Sequence, residues 1–359
     1  MPPTPTAIDP AVNAPNDAPR EPARDAPLLR VRDLRVSFKL DEGTVRAVDG
    51  LSFDVSPGQV VGIVGESGCG KSVTMKAILQ LVEPPGRITD GEILYRRDAE
   101  PLDLTRLPPR GAEMRALRGA EIALIPQEPM AAFSPVHTVG SQIIEAIRLH
   151  DPAVSRREAR ARAVDLFRDV GVSMPEQRVD AYSWQLSGGL RQRAMIAMAL
   201  SCRPRLLIAD EPTTAIDVTT QAQILVLLRE LQRKYDTAII FITHDLGVIA
   251  RMADRVVVMY LGRVMEEGGV DDIFHAPKHP YTKALLRSIP SLHGETRTAL
   301  PVIRGVLPHP FNRPSGCPFH PRCPDRMPER CDSRVPKPVM VEDGRVVSCF
   351  LYHDESEPA

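Results

Sequence analysis

The sequence predicts an α/β fold: a sheet whose strands alternate with helices, an inserted helical subdomain, and a small irregular C-terminal domain. Three observations carry this. Short apolar runs alternate with segments of helical spacing over about residues 28–268. A glycine-rich loop, Gly65–Ser72, lies between an apolar run and a helical segment. Beyond about residue 268, Pro, His and Cys become frequent, and periodicity fades after Ser288.

The elements follow in order. Residues 1–26 carry Pro at 2, 3, 5, 10, 15, 19 and 22 and few large apolar side chains, which predicts a solvated, disordered tail. The leader has no apolar stretch typical of an export signal, so a reducing, intracellular setting is expected. LLRVRDLRVSF alternates as a strand, TVRAVDGLSFDV follows, and QVVGIVG is a continuous apolar run suited to a buried strand. A helix is predicted from Lys71 to residue 82, and strands over Gly91–Tyr95 and Glu121–Pro126. Residues 139–171 and 187–200 read as helices, RLLIAD as a buried strand, and 219–234 as a helix. TAIIFITHD is a strand, and RVVVMYLGRVMEEG a hairpin turning at Gly262. The expected division is a tail over 1–26, a main domain over 27–268 with its helical subdomain at about 130–203, and a C-terminal domain over 269–359.

Composition bounds the function. The 359 residues suffice for about two domains. Lys+Arg 45 against Asp+Glu 46 leaves a net charge of -1, so no basic surplus drives binding to a phosphate backbone, and nucleic acid is not an expected partner. Without a long apolar run, any membrane role must act through a partner.

Gly65-Glu66-Ser67-Gly68-Cys69-Gly70-Lys71-Ser72 has the spacing of a phosphate loop in its required place, after a strand and before a helix. Its glycines let several backbone N–H groups converge on an anion, and the helix start adds favourable partial charge. Lys71 is expected to bridge the β- and γ-phosphates and Ser72 to place its hydroxyl on Mg²⁺. Cys69 reads as a small residue tolerated in the loop. Asp210 and Glu211 end an apolar strand. Asp210 suits Mg²⁺, and Glu211, expected to point the other way by strand alternation, suits an attacking water. Gln127 follows a strand and can reach Mg²⁺ or the water, and His244 ends another and can bond the γ-phosphate. Ser187 resembles a helix N-cap, and Gly188 and Gly189 leave N–H groups bare. This second anion-binding helix start is assigned to an ATP held by another subunit.

Taken in order, GESGCGKS, Gln127, LSGGLRQR, LLIADE, the loop 213–217 ending in Asp217, and His244 resemble the motif set of ATP-binding cassette (ABC) ATPases, which share a P-loop NTPase fold. GESGCGKSVT, IPQEPM, SGGLRQR and His279-Pro280-Tyr281-Thr282 are similar to the dipeptide/oligopeptide (peptide/nickel) import branch. Leu190 and Ile216 depart from commoner residues without removing a polar group. The resemblance implies ATP and Mg²⁺ as ligands and a head-to-tail sandwich in which Ser187 and Gly189 of one subunit touch the γ-phosphate held by the other, with Gly188 and Asp217 also counted among the nucleotide-binding residues. It implies Phe38 as the ring that stacks on adenine; an ordinary core Phe is the alternative. It implies partners: a second, paralogous ATPase, two permeases touched by about 128–145, and indirectly a solute-binding protein, at the cytoplasmic face of the plasma membrane. The cargo implied is di- or oligopeptides, with nickel or another small solute, or a soluble non-transport ATPase, as alternatives.

Cys317, Cys323, Cys331 and Cys349 crowd the C-terminal end among turn-forming Pro and Gly. Four thiols suit a 4Fe–4S cluster, which some peptide-import ATPases carry in such a tail. Zinc or free thiols remain the alternatives, and the spacing lacks a C-x2-C pair.

Overall fold

The computed structural model describes residues 26–98, 100–128, 132–214, 216–288 and 303–353. All but the last residue of the tail expected over 1–26 lies outside the described residues. The strands are β1 (Leu29–Leu40), β2 (Gly43–Val55), β3 (Val60–Val64), β4 (Gly86–Arg96), β5 (Pro101–Asp103), β6 (Ile122–Ile125), β7 (Leu206–Asp210), β8 (Ala238–Ile242), β9 (Arg255–Tyr260), β10 (Arg263–Gly269), β11 (Val339–Val341) and β12 (Arg345–Val347). The helices are α1 (Lys71–Ile78), α2 (Ala112–Leu117), α3 (Val139–His150), α4 (Arg156–Asp169), α5 (Pro175–Arg178), α6 (Gly188–Ala199), α7 (Val218–Tyr235), α8 (Leu246–Met252), α9 (Val270–His275), α10 (Pro280–Arg287) and α11 (Arg330–Ser333).

Two sheets form. One is antiparallel, in the order β2-β1-β4-β5. The other runs β11-β12-β10-β9-β3-β8-β7-β6. Its β9, β3, β8, β7 and β6 are parallel, and β3 lies between β8 and β9 with Ile63 opposite Ile242 and Val257. The parallel strands are apolar apart from Arg255 at the start of β9 and Asp210 at the end of β7, because both faces are covered. Period-2 alternation divides their side chains between two cores. Val60, Val64, Phe241, Val258 and Tyr260 join the helical side. Val61, Ile63, Ile240, Ile242 and Val257 join β1, β2, β4 and α1. The α/β expectation therefore holds, with a separate antiparallel sheet that alternation alone did not separate from the main one.

The helical stretch expected over 139–171 is two helices. Pro152 cannot donate to a helical ladder and disfavours helical backbone at Asp151. Ser155 then restarts the chain with a capping box: its hydroxyl accepts from the Glu158 N–H at 3.2 Å, and the Glu158 carboxylate accepts from the Ser155 N–H at 2.9 Å. The C-terminal segment is not free-standing. β12 pairs with β10, Val347 opposite Glu266, and Tyr281, Phe319 and Phe350 sit in the helical-side core.

Candidate functional site

The phosphate loop leaves β3 and enters α1. Gly65 has φ 151°, and a Cβ there would sit 2.2 Å from the Met259 carbonyl oxygen; Gly70 has φ 103°, and its Cβ would sit 2.3 Å from the Ala47 carbonyl oxygen. Side chains are excluded at both by backbone. Gly68 differs: nothing lies within 4 Å of its Cβ position, and Ser67 and Gly68 are exposed. That open face, at the start of α1 with no acidic residue in its first turn, suits an anion. Lys71 is buried and donates to the Gly65 and Glu66 carbonyl oxygens at 2.8 and 3.1 Å. Cys69 is buried, and burial pushes its thiol pKa up despite the nearby Lys71, so it is no ready nucleophile.

The acidic strand end converges on the loop. The Ser72 hydroxyl donates to Asp210 Oδ1 at 3.3 Å. Burial holds the Asp210 carboxyl above the usual carboxylate range, and the Glu211 charge adds to this. Glu211 has φ 48°, so it has already left the strand. The turn in its backbone, rather than strand alternation, aims its carboxylate. Glu211 Oε2 accepts from Gln127 Nε2 at 3.1 Å and from the Thr214 hydroxyl at 2.9 Å, and Oε1 lies 3.3 Å from His244 Nδ1. Gln127, Glu211 and His244 follow β6, β7 and β8, which are adjacent and parallel, so their chain ends deliver all three to one sheet edge. Thr214 was not singled out as a site residue in the sequence; its signal is the three-residue spacing from Glu211. An oxygen pair such as Ser72–Asp210 fits Mg²⁺, which keeps several waters and needs no all-protein cage.

Ser187 caps α6, its hydroxyl accepting from the Leu190 N–H at 3.4 Å. Ser187 and Gly188 are exposed, and Gly188 has nothing within 4 Å of its Cβ position. Gly189 approaches Thr220 of α7, and no hydrogen bond among the described residues ties 187–189 to the loop 65–72. Asp217 caps α7 through the Thr220 N–H at 2.9 Å, a bond that lowers its carboxyl pKa. Gln192, inside α6, donates to the Pro212 carbonyl, linking that helix to the loop after Glu211. Phe38 is half-buried in β1 and packs with the antiparallel-sheet core; a Cβ on Gly86 would meet its ring.

Cys317, Cys331 and Cys349 are buried, Cys323 is half-buried, and all four are free thiols. They are electrostatic neighbours: burial first, then the other three sulphurs, push Cys317 up to about 12, and burial pushes Cys323 up to about 11. Among the described residues, no group of three or more His, Cys, Asp or Glu is arranged to hold a metal ion. The metal centre expected from the four cysteines is thus not a ready ligand set. Burial holds the Cys317, Cys323 and Cys349 thiols in their protonated form, and the Cys331 sulphur accepts the Met327 N–H at 3.4 Å.

Comparison with known proteins agrees with this geometry. Residues 48–214 match the model of the ABC transporter family, and residues 265–331 that of the oligopeptide/dipeptide transporter C-terminal region. The chain is similar to the dipeptide transport ATP-binding protein DppD of Bacillus subtilis, 49% identical over 92% of this chain and 97% of that one. It is also similar to the oligopeptide transport ATP-binding protein OppD of Salmonella typhimurium, 46% identical over 90% of this chain and 93% of that one. Among solved structures it resembles a dimeric post-hydrolysis state of the ATP-binding cassette MJ0796 bound to ADP and Pi. There the TM-score is 0.59 at 26% identity, covering 67% of this chain and 98% of that one.

Proposed function

This chain belongs to the ABC transporter family of ATP-binding subunits, in the dipeptide/oligopeptide branch, and from that premise we propose that it hydrolyses ATP to drive uptake of di- or oligopeptides through membrane-spanning partners. The single observation that supports this best is the meeting of Gln127, Glu211 and His244 beside the Ser72–Asp210 pair at the edge of the phosphate loop.

The roles we assign follow from position. The N–H groups of Gly65–Ser72 and the Lys71 ammonium take the phosphates. Ser72, Asp210 and Gln127 would hold Mg²⁺, which when bound offsets phosphate charge. Glu211 orients and deprotonates the attacking water, and Thr214 and Gln127 fix its carboxylate. His244 faces the γ-phosphate, and Phe38 the adenine. Ser187, Gly188, Gly189 and Asp217 are assigned to the nucleotide of a second, similar subunit; the dimeric cassette among the similar structures supports this. The cassette is taken as 27–268 and the appended domain as 269–359.

No helix among the described residues is long and apolar enough to cross a membrane, so attachment falls to permease partners, at the cytoplasmic face in this reading. Val136 and Trp184, 73% and 61% exposed on the helical arm, support docking there. For the four-cysteine tail the reading is an iron–sulphur cluster, supported by residue type alone: four free thiols, three buried and one half-buried, in one short segment. Anaerobic purification with iron analysis tests it, and iron-free, colourless protein retires it. The transport reading is tested by co-expression with candidate permeases: ATP hydrolysis by the purified complex should rise with peptide-loaded binding protein. A complex that hydrolyses ATP indifferently to peptide would overturn the cargo assignment.

A further inference from the structure

We propose that Arg322, carried by the cysteine-bearing C-terminal segment, is a positioning residue for nucleotide binding: its guanidinium neutralises and anchors Glu66 within the phosphate loop. The inference rests on the reading that this loop binds MgATP.

Glu66 is an acid in a loop built to receive a polyanion, which is unfavourable unless its charge is met. Arg322 meets it with a fork: Nη1 donates to Glu66 Oε2 at 2.6 Å and Nη2 to Oε1 at 3.0 Å. The two residues are 256 positions apart in sequence. The rest of Glu66 is also engaged. Its N–H donates to the Tyr281 hydroxyl at 3.0 Å, and its carbonyl accepts from Lys71 Nζ at 3.1 Å. Two of these three ties come from chain beyond the hairpin β9–β10.

Arg322 is itself held on all sides. Its side chain is 5% exposed. Nε donates to the Arg304 carbonyl at 3.0 Å, Nη1 reaches the Tyr260 hydroxyl at 3.3 Å, and the guanidinium lies 5.8 Å from the centre of the Tyr260 ring. Tyr260, Tyr281 and Phe319 pack against one another with ring centres 4.7 to 5.4 Å apart. A short turn places Arg322 between Cys317 and Cys323, with the Arg322 N–H donating to the Phe319 carbonyl. The segment that bears the thiols therefore reaches the phosphate loop through one buried cation. A surface pair would contribute little, but this fork is part-buried, with Arg322 5% and Glu66 25% exposed, and its loss leaves an uncompensated carboxylate beside incoming phosphates.

The test measures MgATP affinity of the full-length chain by calorimetric titration, with Glu211→Gln in every protein so that ligand is not consumed. Arg322→Ala should raise the Kd about fivefold to tenfold, and Arg322→Lys, a point charge without the fork, should fall between. Glu66→Gln removes the charge that needs neutralising, so Arg322→Ala should cost much less in that background. Such rescue is not expected of a residue that merely keeps the C-terminal segment folded. Arg326→Ala, which breaks an exposed pair with Asp332 in the same segment, should leave affinity unchanged. Equal Kd for Arg322→Ala and its parent, or the same loss with and without Glu66→Gln, overturns the proposal. Failure of the parent chain to take up MgATP instead overturns the nucleotide reading beneath it.

Discussion

Glu211, the proposed base, gathers its partners in a single backbone turn. At φ 48° it stands in a conformation that side chains other than Gly, Asn and Asp seldom adopt, and its N–H is fixed by the Ile242 carbonyl at 2.9 Å. The strain aims a carboxylate at the sheet edge, where an amide, a hydroxyl and an imidazole meet it. Glu211→Gln keeps the shape but removes the base. Turnover should fall about 10²–10⁴-fold with MgATP affinity retained, as read by single-turnover kinetics and titration. Normal turnover would remove Glu211 from the role. Lys71 differs in kind: it is proposed as a binding group, and two loop carbonyls hold it in place. Losing a charge-assisted contact of about 1.5–3 kcal/mol should raise the Kd of Lys71→Ala about 10- to 100-fold. An unchanged titration would count against the cradle.

Elements carry the next level of constraint, and α10 shows it best. Glu266, fully buried, accepts from the Lys278 and His279 N–H groups at 2.7 and 2.9 Å just ahead of that helix. His279 caps the helix, Nδ1 accepting from the Tyr281 N–H at 2.9 Å. Burial drives the His279 pKa down from 6.5 to about 3. A base with a depressed folded pKa binds its proton more readily when unfolded. Its neutral state therefore favours folding above the unfolded value, and that contribution is lost as pH falls from 6.5 towards about 3. Thermal melts should show stability falling over this window, and less steeply in His279→Asn, which keeps a capping side chain without the titrating ring. Equal slopes for the two proteins would assign the acid sensitivity elsewhere. The sequence pointed to His279-Pro280-Tyr281 as a motif, yet nothing local signals that Glu266 receives it or that the ring is buried. The same limit explains the other misses. β5, β11 and β12 span three residues each and α2 six, too short to show a period, and their existence depends on partners far along the chain. The apolar parallel strands and α7 were legible because both pattern and flanking turns repeat the same message.

At the scale of the whole molecule, the phosphate-loop side of the site was readable and its supports were not. Gly65–Ser72, Asp210, Glu211, Gln127 and His244 announce themselves by residue type and order, whereas Thr214, Tyr281 and Arg322 are ordinary residues made important by proximity. What the single chain leaves exposed is the α6 start. Ser187 caps it, Gly188 faces open space, and among the described residues no hydrogen bond joins it to the chain's own phosphate loop. A helix start with bare N–H groups and positive partial charge is poised to meet an anion from outside the chain. Ser187→Arg removes the cap, at a cost of about 1 kcal/mol, and fills the approach with a long cation. Nucleotide-dependent dimerisation should then be lost in size-exclusion chromatography with MgATP in the Glu211→Gln background, while titration still shows one MgATP bound per chain. Both measurements failing together would make the segment a structural part of the helical arm. Dimerisation persisting in the variant would mean that each nucleotide is completed by its own chain alone.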